Sequence, residues 1–327
     1  MLKDKHNRQV NYLRLSVTDK CNLRCFYCMP EEGIPFCKKD EELSFEELLR
    51  VCRILTGQGV NKIRITGGEP FVRKGLMHFL EQLTQLEKAP ELSITTNATL
   101  IGPHIPKLKA LGIRSINVSL DTLDENRFFS ITRRDEYKRV MQNLNTLLQE
   151  GFDVKINCVV MQHQNIEDIP LLAEFTKAYP VSVRFLEEMP FNAQSEGQEA
   201  LLWDYTHIKA NVEAHFGGLE KLPDPPSSTS LNYKIKGYTG TVGIIPSFSR
   251  TFCGTCNRIR LSANGDFRTC LYGAADLNLR DQLRLGFSDG QLLLNLQEAL
   301  QQKAANGFET ETLNQKQVKD SMAYLGG

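Results

Sequence analysis

Tyr12 to Val17, Lys62 to Thr66, Leu92 to Thr96, Ser115 to Leu120, Val154 to Val160 and Val181 to Leu186 alternate apolar and polar side chains. A period of two reads as a strand. Between these stretches the apolar positions recur at helical spacing. Ser44 with Glu47 three residues later reads as a capping box, followed by the apolar stripe Leu48, Val51, Cys52 and Leu55. Residues 76–86, 103–111, 137–148 and 166–178 read as further helices. Strand and helix in alternation predict a parallel sheet with crossover helices. Six such units fit an α/β fold of the partial (βα)6, TIM-like barrel kind over residues 1–190.

The pattern changes after Pro190. Residues 191–230 are polar and irregular, with Pro223, Pro225 and Pro226 marking a loop. Short strands are expected at Tyr233 to Ile235, Val242 to Ile245 and Arg258 to Leu261, with helices near 276–285 and 291–304. Residues 191–327 are therefore expected to form a smaller α+β region attached to the barrel.

A parallel strand covered on both faces should be almost wholly apolar, and these strands are not. Leu13, Leu15, Ile63, Ile65, Ile94, Ile116, Val118, Ile156 and Val183 share one face. The other face carries Arg14, Ser16, Lys62, Arg64, Thr66, Ser93, Thr95, Asn117, Ser119, Lys155, Asn157, Ser182 and Arg184. That is five cations and no carboxylate. A solvated outer face is a weak explanation, because the helices must already cover the apolar side. A lumen built for a polar, anionic ligand explains it better, since burying unpaired cations is costly. Arg and Lys are the usual phosphate-binding side chains. No G-x-x-x-x-G-K-[ST] loop is present to cradle phosphates with backbone amides.

Composition narrows the class. The 327 residues are 41% hydrophobic and 24% charged, and Lys+Arg 39 balance Asp+Glu 39. Zero net charge argues against a basic nucleic-acid binder. No apolar run is long enough for a membrane span, and the first residues lack an apolar signal core. A cytoplasmic location is expected, where thiols stay reduced. Nine cysteines cannot all pair with one another.

Six of the nine fall into two trios. Cys21, Cys25 and Cys28 have C-x3-C-x2-C spacing directly after the first strand, and Cys253, Cys256 and Cys270 form the second set. A closed structural zinc site wants four ligands. A 4Fe–4S cluster held by three thiolates keeps one iron open to another molecule. Zinc or redox thiols remain the alternative, more so for the second trio. Cys52 and Cys158 fall on apolar faces and read as core, and Cys37 reads as a loop residue.

Cys21-x3-Cys25-x2-Cys28, with Tyr27 before the last cysteine, resembles the radical S-adenosylmethionine superfamily. Thr66-Gly67-Gly68-Glu69-Pro70 is similar to its GGEP motif, whose glycines were expected to let the backbone approach a ligand. Cys253-Gly-Thr-Cys256-Asn-Arg258-Ile259-Arg260 with Cys270, and the terminal Gly326-Gly327, resemble the GTP 3',8-cyclase family of molybdenum cofactor biosynthesis. The lead-in His6-Asn7-Arg8 departs from the aromatic-Gly-Arg more typical there.

The resemblance implies two 4Fe–4S clusters, S-adenosylmethionine and GTP. The N-terminal cluster on Cys21, Cys25 and Cys28 would bind S-adenosylmethionine. Its reductive cleavage would give a 5'-deoxyadenosyl radical that takes hydrogen from C3' of GTP, after which C3' bonds to C8. The cluster on Cys253, Cys256 and Cys270 would hold the guanine. Tyr27, Gly68, Ser119 and Met189 are assigned to S-adenosylmethionine. Arg14, Arg64, Thr95, Lys155, Arg258, Ile259 and Arg260 are assigned to GTP, with Arg258 and Arg260 counted among the catalytic residues. The resemblance also implies an electron donor such as flavodoxin or ferredoxin, product transfer to cyclic pyranopterin monophosphate synthase, a homodimer, and a Gly-Gly tail entering the site. A peptide-modifying radical enzyme with an auxiliary cluster is the alternative within the superfamily.

Overall fold

A computed structural model describes residues 1–30, 33–189, 203–314 and 321–325. The strands are β1 (Tyr12–Ser16), β2 (Lys62–Thr66), β3 (Glu91–Thr96), β4 (Ser115–Ser119), β5 (Asp153–Val160) and β6 (Ser182–Glu187), followed by β7 (Glu220–Lys221), β8 (Leu231–Lys234), β9 (Thr241–Ile245), β10 (Arg258–Leu261), β11 (Asp266–Arg268) and β12 (Leu277–Asn278). The first six match the periodicity to within a residue at each end.

All belong to one sheet of order β12-β11-β10-β1-β2-β3-β4-β5-β6-β9-β8-β7. The run from β10 through β1–β6 to β9 is parallel throughout. The expected C-terminal region is present, and it is joined to the barrel through the sheet itself. Its strands build no sheet of their own. They extend both edges of the six-stranded core, β10 beside β1 and β9 beside β6. One cavity is bordered by residues of strands from β10 round to β9, so the sheet curls into an open barrel.

The apolar face packs as the alternation requires. Leu13, Leu15, Ile63, Ile65, Ile94, Ile116, Val118, Ile156, Val183 and Phe185 are fully buried beneath the helices. Each such side chain contributes about 1.5–3 kcal/mol on leaving water. The helix Phe45–Gly57 buries Leu48, Val51, Cys52 and Leu55. The Ser44 hydroxyl accepts from Glu47 N at 3.2 Å, and the Glu47 carboxylate accepts from Ser44 N at 2.7 Å. That reciprocal pair satisfies two amides that the helix itself leaves without partners.

Other expectations are corrected. Residues 205–216, read as loop, form the helix Tyr205–Phe216, capped by Asp204. The helix Glu125–Thr132, capped by Asp124, was not anticipated. The stretch 103–111 is a 3-10 turn leading into a short helix, Ile105–Ala110. The Gly326-Gly327 tail and Pro190, the expected boundary, lie outside the described residues. No described helix is long and apolar enough to cross a membrane.

Candidate functional site

Two adjoining cavities fill the lumen, of about 360 and 190 Å³. Thr95, Asn157, Leu186, Met189 and Met322 border both and form the wall between them. The smaller is lined by Cys21, Cys25 and Cys28 together with Tyr27, Gly68 and Ser119. The larger is lined by Cys253, Cys256 and Cys270 together with Arg14, Arg64, Lys155, Arg258 and Arg260. Ile259 borders neither, because its side chain lies in the apolar core.

The N-terminal cysteines sit on the loop after β1. Cys28 N and Met29 N donate to Cys25 O at 3.0 and 2.9 Å, closing a turn. Arg24 N and Phe26 N donate to the carbonyls of Thr132 and Ile131, so the unanticipated helix anchors this loop. The GGEP loop packs directly against it. A Cβ on Gly68 would lie 2.4 Å from Lys20 O, and one on Gly67 would lie 2.5 Å from Thr18 O. These glycines are required by the contact between two loops, a reason the sequence did not reveal. The buried Glu69 carboxylate then accepts from Phe71 N, Asn97 N and the Thr96 hydroxyl, joining the loops after β2 and β3. Burial pushes its pKa to about 7 against those hydrogen bonds. Across the cavity, Tyr27 donates to Asp121 at 2.8 Å, and Asp121 accepts from Val159 N at 2.9 Å.

The free thiols fit a cationic cluster. Burial raises Cys21 to about 11, and burial together with the Cys21 thiolate raises Cys28 to about 12. Bare thiolates are disfavoured there, and bound iron reverses that balance. No three His, Cys, Asp or Glu side chains among the described residues converge as ligands of a single ion. Each trio lines a cavity instead. In the second trio Cys256 is lowered to about 7. Burial opposes that shift, and Lys303 and Arg258 outweigh it. Cys52 and Cys158 are core, as expected. Cys37 lines neither cavity, and its N–H donates to Asp19.

All five cations of the polar face line the larger cavity. The expectation that this face lacks carboxylates is corrected. β3 and β5 begin one residue earlier than read, which adds Glu91 and Asp153 at the strand starts. Glu91 pairs with Lys62 at 2.6 Å and Asp153 pairs with Lys155. Arg14, Arg64 and Arg184 have no carboxylate partner among the described residues. Arg14 Nε and Arg184 Nε are buried without any acceptor. Burial lowers the pKa of Arg14, and Arg260 lowers it further; Arg184 falls to about 10 through burial and Arg64. The register aligns Arg260, Arg14 and Arg64 abreast across β10, β1 and β2, with Arg258, Tyr12 and Lys62 one row below. Tyr12 places its ring among the cations of Arg64, Lys62 and Arg258 and leaves its buried hydroxyl without a partner. An array of this kind suits a polyanion.

The site residues missed by sequence reasoning are Arg8 and Lys303, both lining the larger cavity. Lys62 and Arg184 were already marked by strand alternation. Arg8 donates to the carbonyls of Cys253, Ala304 and Ala305, contacts that join distant parts of the chain and leave no local signal.

Residues 15–176 match the model of the Radical SAM superfamily, and residues 181–309 match that of Molybdenum Cofactor Synthesis C. The chain is 36% identical to GTP 3',8-cyclase of Clostridium botulinum over 99% of both chains. It is 41% identical to human molybdenum cofactor biosynthesis protein 1, covering 89% of this chain and 46% of that one. The chain thus spans about half the length of that relative. Among solved structures, SuiB of Streptococcus suis shares the fold, with a TM-score of 0.62 at 15% identity, covering 97% of this chain and 77% of that one. The chain belongs to the radical S-adenosylmethionine superfamily and, within it, to the GTP 3',8-cyclase family.

Proposed function

We propose that the chain is a radical enzyme that converts GTP to the 3',8-cyclised dihydroguanosine triphosphate of molybdenum cofactor biosynthesis. One observation carries this reading: two thiol trios border adjoining cavities, and the cavity of the second is lined with cations. When bound, the N-terminal cluster supplies the electron that cleaves S-adenosylmethionine to methionine and a 5'-deoxyadenosyl radical, and the C-terminal cluster supplies an open iron for guanine. The protein's task is then orientation and exclusion of side reactions.

In this reading Tyr27, Gly68, Ser119 and Met189 hold S-adenosylmethionine in the smaller cavity. Arg14, Arg64, Lys155, Arg258 and Arg260, joined by Lys62 and Arg184, neutralise the triphosphate in the larger. Thr95 and Asn157 stand in the shared wall, and Thr95 Oγ1 and Asn157 Oδ1 are buried without a protein partner. They orient the ribose where hydrogen leaves C3' for the adenosyl radical. C3' then bonds to C8, and one electron and one proton complete the product. Residues 1–190 would carry the S-adenosylmethionine chemistry and residues 191–327 the auxiliary cluster. A flavodoxin or ferredoxin donor, transfer of product to cyclic pyranopterin monophosphate synthase, a homodimer and a cytoplasmic setting complete the proposal on family likeness alone.

Anaerobic purification followed by iron and sulfide analysis tests it, with reductant, S-adenosylmethionine and GTP then added. Two clusters and GTP-dependent 5'-deoxyadenosine are expected. A colourless zinc protein, or a cluster-bearing protein inert toward GTP, would overturn the reading.

A further inference from the structure

Lys303 is a buried cation beside the C-terminal cysteines, only 3% exposed. Its Nζ donates to Arg258 O and Thr269 O, each at 2.7 Å, and lies 3.9 Å from Cys256 Sγ. An ammonium has three N–H donors, and these three acceptors use them all. Two of the acceptors flank cluster ligands in sequence: Arg258 lies two residues after Cys256, and Thr269 directly precedes Cys270. No carboxylate among the described residues pairs with this ammonium. The Asp276 carboxylate feels this charge from beyond ion-pair distance, so the nearer counter-charge is the Cys256 sulfur that Lys303 faces at 3.9 Å.

We propose that Lys303 is the counter-ion and positioning residue of the C-terminal cluster. Two of its hydrogen bonds clamp the Cys256 loop to the Cys270 strand end. The third places positive charge on a ligand sulfur. The inference rests on the reading that Cys253, Cys256 and Cys270 hold a cluster. Positive charge beside a ligand sulfur stabilises the reduced, more negative state. Lys303 therefore raises the reduction potential of this cluster and leaves that of the N-terminal one alone. It borders the larger cavity, but all three of its N–H donors are taken by the protein.

The test is a redox titration followed by electron paramagnetic resonance, with iron analysis, on full-length protein in which Cys21, Cys25 and Cys28 are alanine. Only the C-terminal cluster then contributes. If the parent of this series binds no iron, the cluster reading itself fails, which separates that failure from this one. Lys303→Met is expected to make reduction about tenfold less favourable, a fall of about 59 mV, and Lys303→Arg to restore most of it. A Lys303→Met protein with its cluster retained and its potential unchanged overturns the proposal. If Lys303→Met loses iron, Lys303→Arg decides. Iron retained with arginine supports a role for charge, and equal loss in both variants reduces Lys303 to packing and overturns it.

Discussion

Arg14 and Arg260 stand side by side as register partners on β1 and β10, Arg260 buried and Arg14 half-buried with its Nε enclosed, both on the ligand face of one sheet. Like charges this close lower each other's proton affinity and oppose folding of the empty protein. An anion bound between them would relieve that repulsion. Arg14→Met should therefore raise the thermal unfolding midpoint without nucleotide, because replacing a buried charge by a packed apolar chain often stabilises. It should also weaken GTP at least tenfold, since a charge-assisted hydrogen bond contributes about 1.5–3 kcal/mol. Arg260→Ala should reduce cyclisation similarly while leaving reductive cleavage of S-adenosylmethionine in place. Unchanged GTP affinity in both variants would remove the pair from the binding site.

Glu69 makes stability depend on pH in a stated direction. Burial raises its pKa from 4.5 to about 7. Between those values the folded chain keeps a proton that the unfolded chain releases. Stability from this group is complete below about pH 4.5 and is lost as pH rises through 7, at up to about 1.4 kcal/mol per pH unit. Denaturant unfolding from pH 4.5 to 8 should show that decline in the wild type, and Glu69→Gln should flatten it. Parallel curves would mean that Glu69 ionises normally.

Arg184 depends on an absent side chain across the strand pair. Gly243 is its register partner, and a Cβ there would lie 3.0 Å from Arg184 Cγ and 2.3 Å from Ser230 Oγ. Gly243→Ala is expected to displace the guanidinium and weaken GTP several-fold, with binding of S-adenosylmethionine unchanged. Equal losses for both ligands, measured by calorimetry, would indicate general misfolding instead.

The Ser44 cap is remote from both cavities. Ser44→Ala should cost about 1 kcal/mol of stability and leave iron content and turnover intact. Denaturant titration alongside iron analysis checks both halves.

The legible part of this molecule was local. Period-two alternation placed β1–β6 and sorted Arg14, Lys62, Arg64, Lys155 and Arg184 onto the lumen before any contact was known. Alternation could not mark where a strand begins, so Glu91 and Asp153, polar residues at strand starts, went unread. The helix at 205–216 escaped because it buries only Ile208 and Val212, too narrow a stripe to register as a period. Lys303 and Arg8 act on residues 34 or more positions away, and no window along the chain contains both ends of such contacts.

The pairing of β1 with β10 and of β6 with β9 also sets a schedule. During synthesis the six-stranded core emerges with both edges bare, and those edges are exposed templates for other chains. The later-made of these two partners, β10, begins 71 residues after β6 ends. At ribosomal rates that interval is roughly 4–14 s. The newborn chain spends it with the Cys21–Cys28 loop made and the barrel still open. Closure is timed by translation of the last third of the chain, so the smaller cavity has nearly all of its lining, within residues 21–189, before the larger one gains Arg258 and Arg260.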